Sequence, residues 1–419
     1  MISFWRIFWL EFVSLGRSWT LALLTIASAG WMVALPHLVK GDGTAEGARE
    51  LYIHFSLGGV FLLLVVALLA TATGTLARER EAGRLQLTLV RPVSLWIVAL
   101  GKVAALVSAG ALVLAMAGAI LAATTDLGRP CNHVLSPILI SPREEARAMY
   151  ELYMADTNTP QAVRAADKSA VLRLLEAKAL DHYQAIEAGA FARWRFPTEG
   201  MNAAGGRVAV QLRLTNAMDL RADVVGDFRI GTHVGSVSNL TKSVVDVPLV
   251  GAGKLGAELE FVNRGSESVM LRPRRDIKLL VEADAFGRNL LRAYVALVAI
   301  LAFLVALGVA LSAGLGRPVA MFVAFVVLAV GEMSPSVVEQ YPNELDASAK
   351  DRLGLAITRA ASAVTSPISS LSPLEALAKD ECIEIARLGE TVLVDLLAAP
   401  LLFTILSALI LTRKKEVLC

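Results

Sequence analysis

Hydrophobic positions along the chain fall into two regimes. In the first, apolar residues run almost unbroken for about the 20 residues that a helix needs to cross some 30 Å of hydrocarbon. Six stretches do this: Thr20–Val39, Tyr52–Ala77, Trp96–Ala122, Leu290–Leu315, Val319–Met333 and Val392–Leu411. The fifth is the shortest. Pro36 and Pro400 lie inside the first and last, where a spanning helix tolerates proline as a kink. In the second regime, from about Ala123 to Asn289, apolar residues are spaced. Within 143–195, Leu172, Leu175, Ala179, Tyr183, Ile186, Ala190 and Trp194 recur at steps of three and four, which predicts a helical stripe. From Arg207 to about 284 the period becomes two. Val208, Val210, Leu212 and Leu214 alternate with Ala209, Gln211 and Arg213, and Leu255, Ala257, Leu259 and Phe261 alternate in the same way against Glu258 and Glu260. Turn residues at Gly251-Ala252-Gly253 and Asn263-Arg264-Gly265 separate these runs, so a small antiparallel sheet or sandwich is expected.

The fold class that follows is an α-helical membrane protein with six transmembrane helices and an inserted extracytoplasmic α+β domain. Its parts are an N-terminal membrane half over 1–122, the inserted domain over 123–289, and a C-terminal membrane half over 290–419 with an outer loop at 334–391. The domain has a helical part at 143–195 and a β part at 207–284. Composition agrees: 55% of the 419 residues are hydrophobic and 19% are charged, against about 25% charged in soluble domains. With 40 Lys+Arg and 38 Asp+Glu, the net charge of +2 gives no reason to expect a nucleic-acid partner. Orientation is read from the Lys/Arg content of short connections. With the N-terminus inside, Arg6, Arg17, Arg78, Arg80, Arg84, Arg91, Arg317, Arg413, Lys414 and Lys415 are cytoplasmic, and the short outside loop holds only Lys40 and Arg49. Both termini are therefore expected in the cytoplasm, in a multi-pass inner (cytoplasmic) membrane protein. The first apolar stretch follows an aromatic-rich amphipathic segment and has no small-residue cleavage site, so it reads as a retained span rather than a signal peptide.

Motifs for chemistry are sparse. Gly251-Ala252-Gly253-Lys254-Leu255 lacks the first glycine of a phosphate loop, with Pro248 in its place, and has Leu255 where Ser or Thr is needed. The five histidines (His37, His54, His133, His182, His233) show no metal-ligand spacing, and no Gly-x-Ser-x-Gly elbow occurs. His37 and His54 do share the outer ends of two neighbouring spans. Cys131 and Cys382 both fall on the expected outside, where an oxidising compartment permits a bond. Thr71, Thr73 and Thr75 can bond their own backbone or a neighbouring helix. Asp395 lies near the start of the last apolar stretch, with Glu390 close by. An ionisable residue within a membrane is a functional candidate by default; the competing reading is a solvated helix start.

The most informative segment is Arg78-Glu79-Arg80-Glu81-Ala82-Gly83-Arg84-Leu85-Gln86-Leu87-Thr88-Leu89-Val90-Arg91-Pro92-Val93-Ser94, which links the second and third spans. Leu85 and Leu89 give it a short apolar face between charged flanks. Such an insert either docks in a partner's groove, with apolar anchors buried and charges setting register, or lies on anionic lipid. It resembles the cytoplasmic coupling element of ABC-2 type (type-2 ABC exporter) permeases, Glu-x-Glu-x-Gly-Thr-Leu-x-x-Leu-x-x-x-Pro-x-Ser. The match falls at Glu79, Glu81, Gly83, Leu85, Pro92 and Ser94; Arg84 replaces the usual threonine and Leu95 a frequent basic residue. Leu100-Gly101-Lys102 is similar to the start of the family's third span. Ser3–Ser18 resembles its amphipathic elbow helix, and Leu371-Ser372-Pro373-Leu374-Glu375-Ala376-Leu377 with the ending Leu411-Thr412-Arg413-Lys414-Lys415-Glu416 resembles its last outer loop and basic tail. The resemblance covers about 1–122 and 288–419 and not the inserted domain.

What the resemblance implies is a permease subunit that binds no cofactor itself and works with a cytoplasmic ATPase subunit carrying ATP and Mg. It would form a homodimer or pair with a second permease. Residues 78–92 would be the coupling helix seated in the ATPase. Glu79, Arg80, Glu81 and Arg91 would make charged contacts there, with Leu85 and Leu89 as buried anchors and Gly83 and Pro92 bounding them. The chain would be a transport subunit rather than an enzyme, and its outer domain would meet the substrate or a periplasmic protein. Two alternatives stay open: an ABC-type assembly or mechanical device, and a membrane-anchored sensor or scaffold without an ATPase.

Overall fold

The computed structural model describes residues 2–38, 45–83, 94–139, 141–155, 168–180, 184–197, 206–210, 213–214, 225–237, 245–251, 255–266, 268–340 and 372–418. These form two compact units, one from 2–129, 285–340 and 372–418, the other from within 130–284.

The first unit opens with α1 (Ile2–Arg17), whose aromatic side chains stack along one side, Phe8 meeting Phe4, Trp5 and Phe12 and Trp9 meeting Phe12. Ser18 breaks the helix, its hydroxyl donating to the Leu15 carbonyl at 2.6 Å. Then come α2 (Trp19–Leu38), α3 (Ala45–Glu81) and α4 (Leu95–Thr124). After the inserted segment, α8 (Phe286–Gly314) and α9 (Arg317–Gln340) follow, then a short α10 (Pro373–Ala378). The last helix is a continuous run of α11 (Ile385–Thr391), a π-helical stretch (Val392–Ala398) and α12 (Ala399–Leu418).

Among the described residues, five helices are long and apolar enough to cross a bilayer: Trp19–Leu38, Gly47–Glu81, Leu95–Thr124, Phe286–Gly314 and Ile385–Arg413. They make the chain a multi-pass membrane protein. Its expected fifth span, Val319–Met333, falls on α9, whose apolar part among the described residues covers only Arg317–Ala329. Length alone therefore does not make it a crossing helix, and the sixth span is not established. Helix α8 is the hub, buried almost throughout and packed on α3, α4, α9 and the last helix. Small residues let these backbones come close: a Cβ added to Gly308 would sit 3.0 Å from that of Ala72, and one on Gly110 would press on Leu68 and Leu301. Close packing of this kind drives helix association in lipid, where burial of apolar surface offers no advantage. Outward positions such as Leu112, Leu402 and Leu409 are apolar and exposed, as lipid contact requires.

Where the inserted segment joins, polar groups knit the helix ends. The Asp380 carboxylate accepts from Arg49 on α3 and is ion-paired with Arg129 at 3.6 Å. Asp380 has φ 55°, a left-handed conformation that turns the chain after α10. Buried Asn289 on α8 holds the following strand of chain, donating to the Glu381 carbonyl at 2.8 Å and accepting from the Ile383 amide at 2.9 Å. Cys382, between them, is disulfide-bonded. His37 and His54 have no metal-binding arrangement around them among the described residues. Thr71, Thr73 and Thr75 bond their own helix, at Ala67, Leu69 and Ala72.

The second unit holds β1 (Pro130–Leu135), α5 (Pro142–Ala155), α6 (Lys168–Leu180), β2 (Gln184–Ile186), β3 (Phe191–Arg195), β4 (Gly206–Val210), β5 (Arg213–Leu214), β6 (Gly226–Ile230), β7 (His233–Val237), β8 (Val245–Leu249), β9 (Glu258–Asn263), β10 (Val269–Leu271), a single turn α7 (Pro273–Asp276) and β11 (Ile277–Ala285). The strands make three sheets, ordered β1-β11-β4-β8, β2-β10-β5 and β3-β9-β6-β7. All three contribute to one apolar core that includes Trp194, Phe228, Phe261, Leu271 and Leu279. Phe228 and Phe261 face each other across the ladder with rings 4.6 Å apart. On the opposite face of β3 and β9, Arg193 and Arg195 pair with Glu260 and Glu258, each at 2.7 Å. That alternation of core and charge is the period of two visible in the sequence.

The helical part is smaller than expected. Helix α6 ends at Leu180, and Ile186, Ala190 and Trp194 lie on or beside β2 and β3 rather than on a helical stripe. Short strands with buried large residues produce spacings that mimic a helix, and the paired Arg193 and Arg195 reveal the true period. The β part also starts earlier than 207, since β1 pairs with β11 and so joins the two ends of the segment. The helical pair has its own small core of Ala146, Val171 and Leu175. Cys131 is buried in β1 and disulfide-bonded. Of the glycine-rich turn, residues 252–254 lie outside the described residues; Gly251 packs against the His233 backbone, and a Cβ there would be 2.6 Å from it.

Candidate coupling site at the end of the membrane helices

Helix α3 ends where the Gly83 residue enters the left-handed region at φ 69°, a conformation that glycine adopts without steric cost. Its amide donates to the Arg80 carbonyl at 3.1 Å. The chain re-enters helix at Ser94, whose carbonyl accepts the Ile97 amide at 3.0 Å. The intervening segment, with Leu85, Leu89, Arg91 and Pro92, lies outside the described residues. Its two anchorages are well defined, and they are where the site is built.

The first anchorage is an ion-paired joint. Lys102 sits two turns into α4 and is buried. Its ammonium donates to Glu79 Oε1 at 2.7 Å and to Glu11 Oε2 at 3.2 Å, so one cation ties α3, α4 and α1 together. Gly101, beside it, lets α1 lie close, because a Cβ there would be 2.9 Å from Ile7 Cγ2. A buried ammonium without partners would cost several kcal/mol, and two carboxylates offset that cost here. The second anchorage is a helix cap. Arg80 spreads its guanidinium across the end of α8, Nη1 donating to the Ala313 carbonyl and Nη2 to that of Leu315, both at 3.0 Å. Carbonyls in the last turn of a helix lack intrahelical partners and carry the negative end of its dipole, so a cation is the fitting cap.

Glu79 and Arg80, expected to make charged contacts with a partner, are each bonded within the chain. Glu81 and Gly83 are exposed and lead into the segment. Lys102 and Glu11, which complete this joint, carry no site role in the sequence reading. The signal was available, since Lys102 is an ionisable residue inside an apolar stretch, but a lysine near a span's end also reads as an ordinary interfacial residue.

Asp395 is the other sequence candidate, and it lies elsewhere. It occupies the π-helical stretch and is fully buried, and neither carboxylate oxygen has a hydrogen-bond partner among the described residues. The expected solvated helix start is therefore not what the structure contains, because α11 adds two helical turns before the residue. Nearby hydroxyls turn inward on their own helix: Thr391 bonds Arg387, Thr404 bonds Leu401 and Ser407 bonds Phe403. Single π turns inside helices gather at functional positions. Comparison with protein-family models, curated proteins and solved structures finds no match to this chain.

Proposed function

We propose that the chain is the membrane-spanning permease subunit of an ATP-binding-cassette exporter of ABC-2 type, driven by a separate cytoplasmic ATPase. The observation that carries the reading is the anchorage of segment 84–93. Glu79 and Arg80 stand immediately before it and are bonded to α4, α1 and α8 through Lys102, Ala313 and Leu315. Any displacement delivered to the segment is thereby passed to four helices at once. A linker that merely joined two spans would need no such connections. In this reading Glu79 and Arg80 form the base of the lever, Leu85 and Leu89 its contact with the ATPase, and Glu81 and Arg91 the charges around that contact. ATP and Mg belong to the partner. The segment and both termini are cytoplasmic, and the inserted domain faces outward, which suits the disulfide-bonded state of Cys131 and Cys382.

Purification of the tagged full chain from its native host in mild detergent tests this. A co-purifying ATPase subunit with ATP turnover is expected. In the Leu85→Asp/Leu89→Asp variant that subunit should be lost or its turnover uncoupled. A well-folded protein that brings down no ATPase, or a variant that binds and turns over normally, would overturn the reading.

A further inference from the structure

A cleft of about 600 Å³ opens between α3, α8, α9 and the short α10. That is within the range of about 300–1,000 Å³ usual for small-ligand sites. Its polarity is graded. Deep in the cleft, Val65, Leu297, Ile300, Leu304, Phe325 and Leu328 supply only hydrocarbon. At the end nearest the start of α3, the lining changes to His54, Ser372 and Glu375. The mouth is organised: Lys379 Nζ donates to Glu375 Oε1 at 2.5 Å and Ser372 donates to Glu375 Oε2 at 3.4 Å. The two ends are separated along α3 by three turns, from His54 to Val65. An apolar wall of that depth at membrane level, ending in carboxylate, hydroxyl and imidazole, has the outline of a single amphiphile.

We propose that this cleft binds a membrane amphiphile, its hydrocarbon tail along α8 and its polar head at His54, Ser372 and Glu375. The occupant is a lipid rather than a second copy of this chain or a soluble ligand. Two of the walls, α3 and α8, are helices long and apolar enough to cross a bilayer, so the medium that reaches the cleft is itself hydrocarbon, and the polar groups stand only where a headgroup would. Glu375 asks for a head with hydroxyl or amine donors. That the bound amphiphile is also the exporter's cargo rests on the permease reading above.

The test uses the purified full chain in mild detergent with a lysophosphatidylethanolamine, whose head carries an amine donor, bearing a diazirine at the end of its tail. Photolabelling should concentrate on α3 around Phe61–Val65 and on α8 around Leu297–Leu304. The Gly58→Phe variant should lower it by about tenfold, equivalent to about 1.4 kcal/mol of affinity. Gly58 lines the cleft, and a Cβ there meets only Leu374, at an ordinary 3.8 Å, so a side chain can start there without moving backbone. Leu62→Trp, at an exposed position on the rim, blocks independently should the first variant not fold. Label spread evenly over lipid-facing positions such as Leu112 and Leu402, and unchanged in both variants, overturns the site. Because binding is read on this chain alone, it stands or falls separately from the ATPase pull-down. Where an ATPase does co-purify, the lysophospholipid should raise ATP turnover in the wild type and not in Gly58→Phe; labelling without that stimulation overturns the assignment as cargo.

Discussion

Lys102 and Asp395 are both ionisable, both buried and both set in apolar helices, yet their surroundings differ in every respect. Lys102 has two carboxylates at 2.7 and 3.2 Å, from two other helices. Asp395 has no hydrogen-bond partner among the described residues for either oxygen. A buried charge with good partners roughly balances its desolvation cost, and in doing so it specifies which helices meet. A buried polar group without partners is a cost that local structure does not offset, about 1–3 kcal/mol for a neutral one. The Lys102 joint is thus intelligible as architecture. Asp395 is not explained by the packing of the described residues.

The comparison breaks most sharply at the joint itself. Replacing both carboxylates, Glu11→Gln with Glu79→Gln, strands the ammonium in a site where its side chain is 5% exposed. The expected loss is about 3–5 kcal/mol. Lys102→Met removes the cation instead, and the two glutamates left behind are 26% and 30% exposed, so water can solvate them. A smaller loss, about 1–2 kcal/mol, follows. Denaturant unfolding in micelles measures both. Equal losses would mean that the glutamates are as desolvated as the lysine, and that the joint is a buried core rather than a half-open latch.

Asp395 should respond in the opposite direction. Asp395→Leu removes the unpartnered carboxyl and keeps the volume, and it should raise stability by about 1–3 kcal/mol. Asp395→Asn brings its own unmet donors and should gain little. Destabilisation by Asp395→Leu would show that the carboxyl has a partner in the assembled protein. Stabilisation accompanied by loss of the ATP-coupled activity proposed above would show that the cost is retained for function, as ionisable residues within membranes commonly are.

The contrast also explains what could be read from sequence. Continuous apolar runs announce helices without ambiguity, which is why Trp96–Ala122 anticipates α4 to within a few residues. The stretch at Val319–Met333 shows the limit, since helix α9 is real while its apolar part is short. In the inserted domain, buried residues on the short strands β2 and β3 fall by chance at helical spacing after α6, and only the register pairing Arg193 with Glu260 and Arg195 with Glu258 exposes the strand. At the candidate coupling site, Glu79 and Arg80 are singled out by the sequence alone, within the stretch that resembles a coupling element. Their bonds to Lys102, Ala313 and Leu315 span 23, 233 and 235 residues, and no local pattern carries separations of that kind. Asp395 was visible as a charge in an apolar run, but its burial depends on α11, whose polar residues Arg387, Glu390 and Thr391 read as loop.

A third ionisable group, outside the membrane helices, sets a baseline for both. Asp227 on β6 lies directly opposite Ser236 on β7, whose hydroxyl donates to Oδ1 at 2.8 Å, and Arg264 pairs with Oδ2 at 2.5 Å. The serine hydrogen bond chiefly, with Arg264 adding to it against some desolvation, holds the Asp227 carboxyl below its ordinary 3.8. The folded domain therefore binds this proton less tightly than the unfolded chain does. Its contribution to stability is fully present above the ordinary value and is lost as pH falls through the lowered one. Because the pair lies at the surface, with Arg264 more than half exposed, the effect is the smallest of the three. Asp227→Asn should weaken protection of the β6 and β7 amides in hydrogen exchange at neutral pH, and the gap between variant and wild type, compared at matched pH, should close as pH drops below 3.8. A gap that stays constant across the acid range would assign the effect to the hydrogen bond's geometry rather than to the charge. Paired at the surface, Asp227 would then owe nothing to its charge, and the case for reading Lys102 as a charge-built joint would rest on its burial alone.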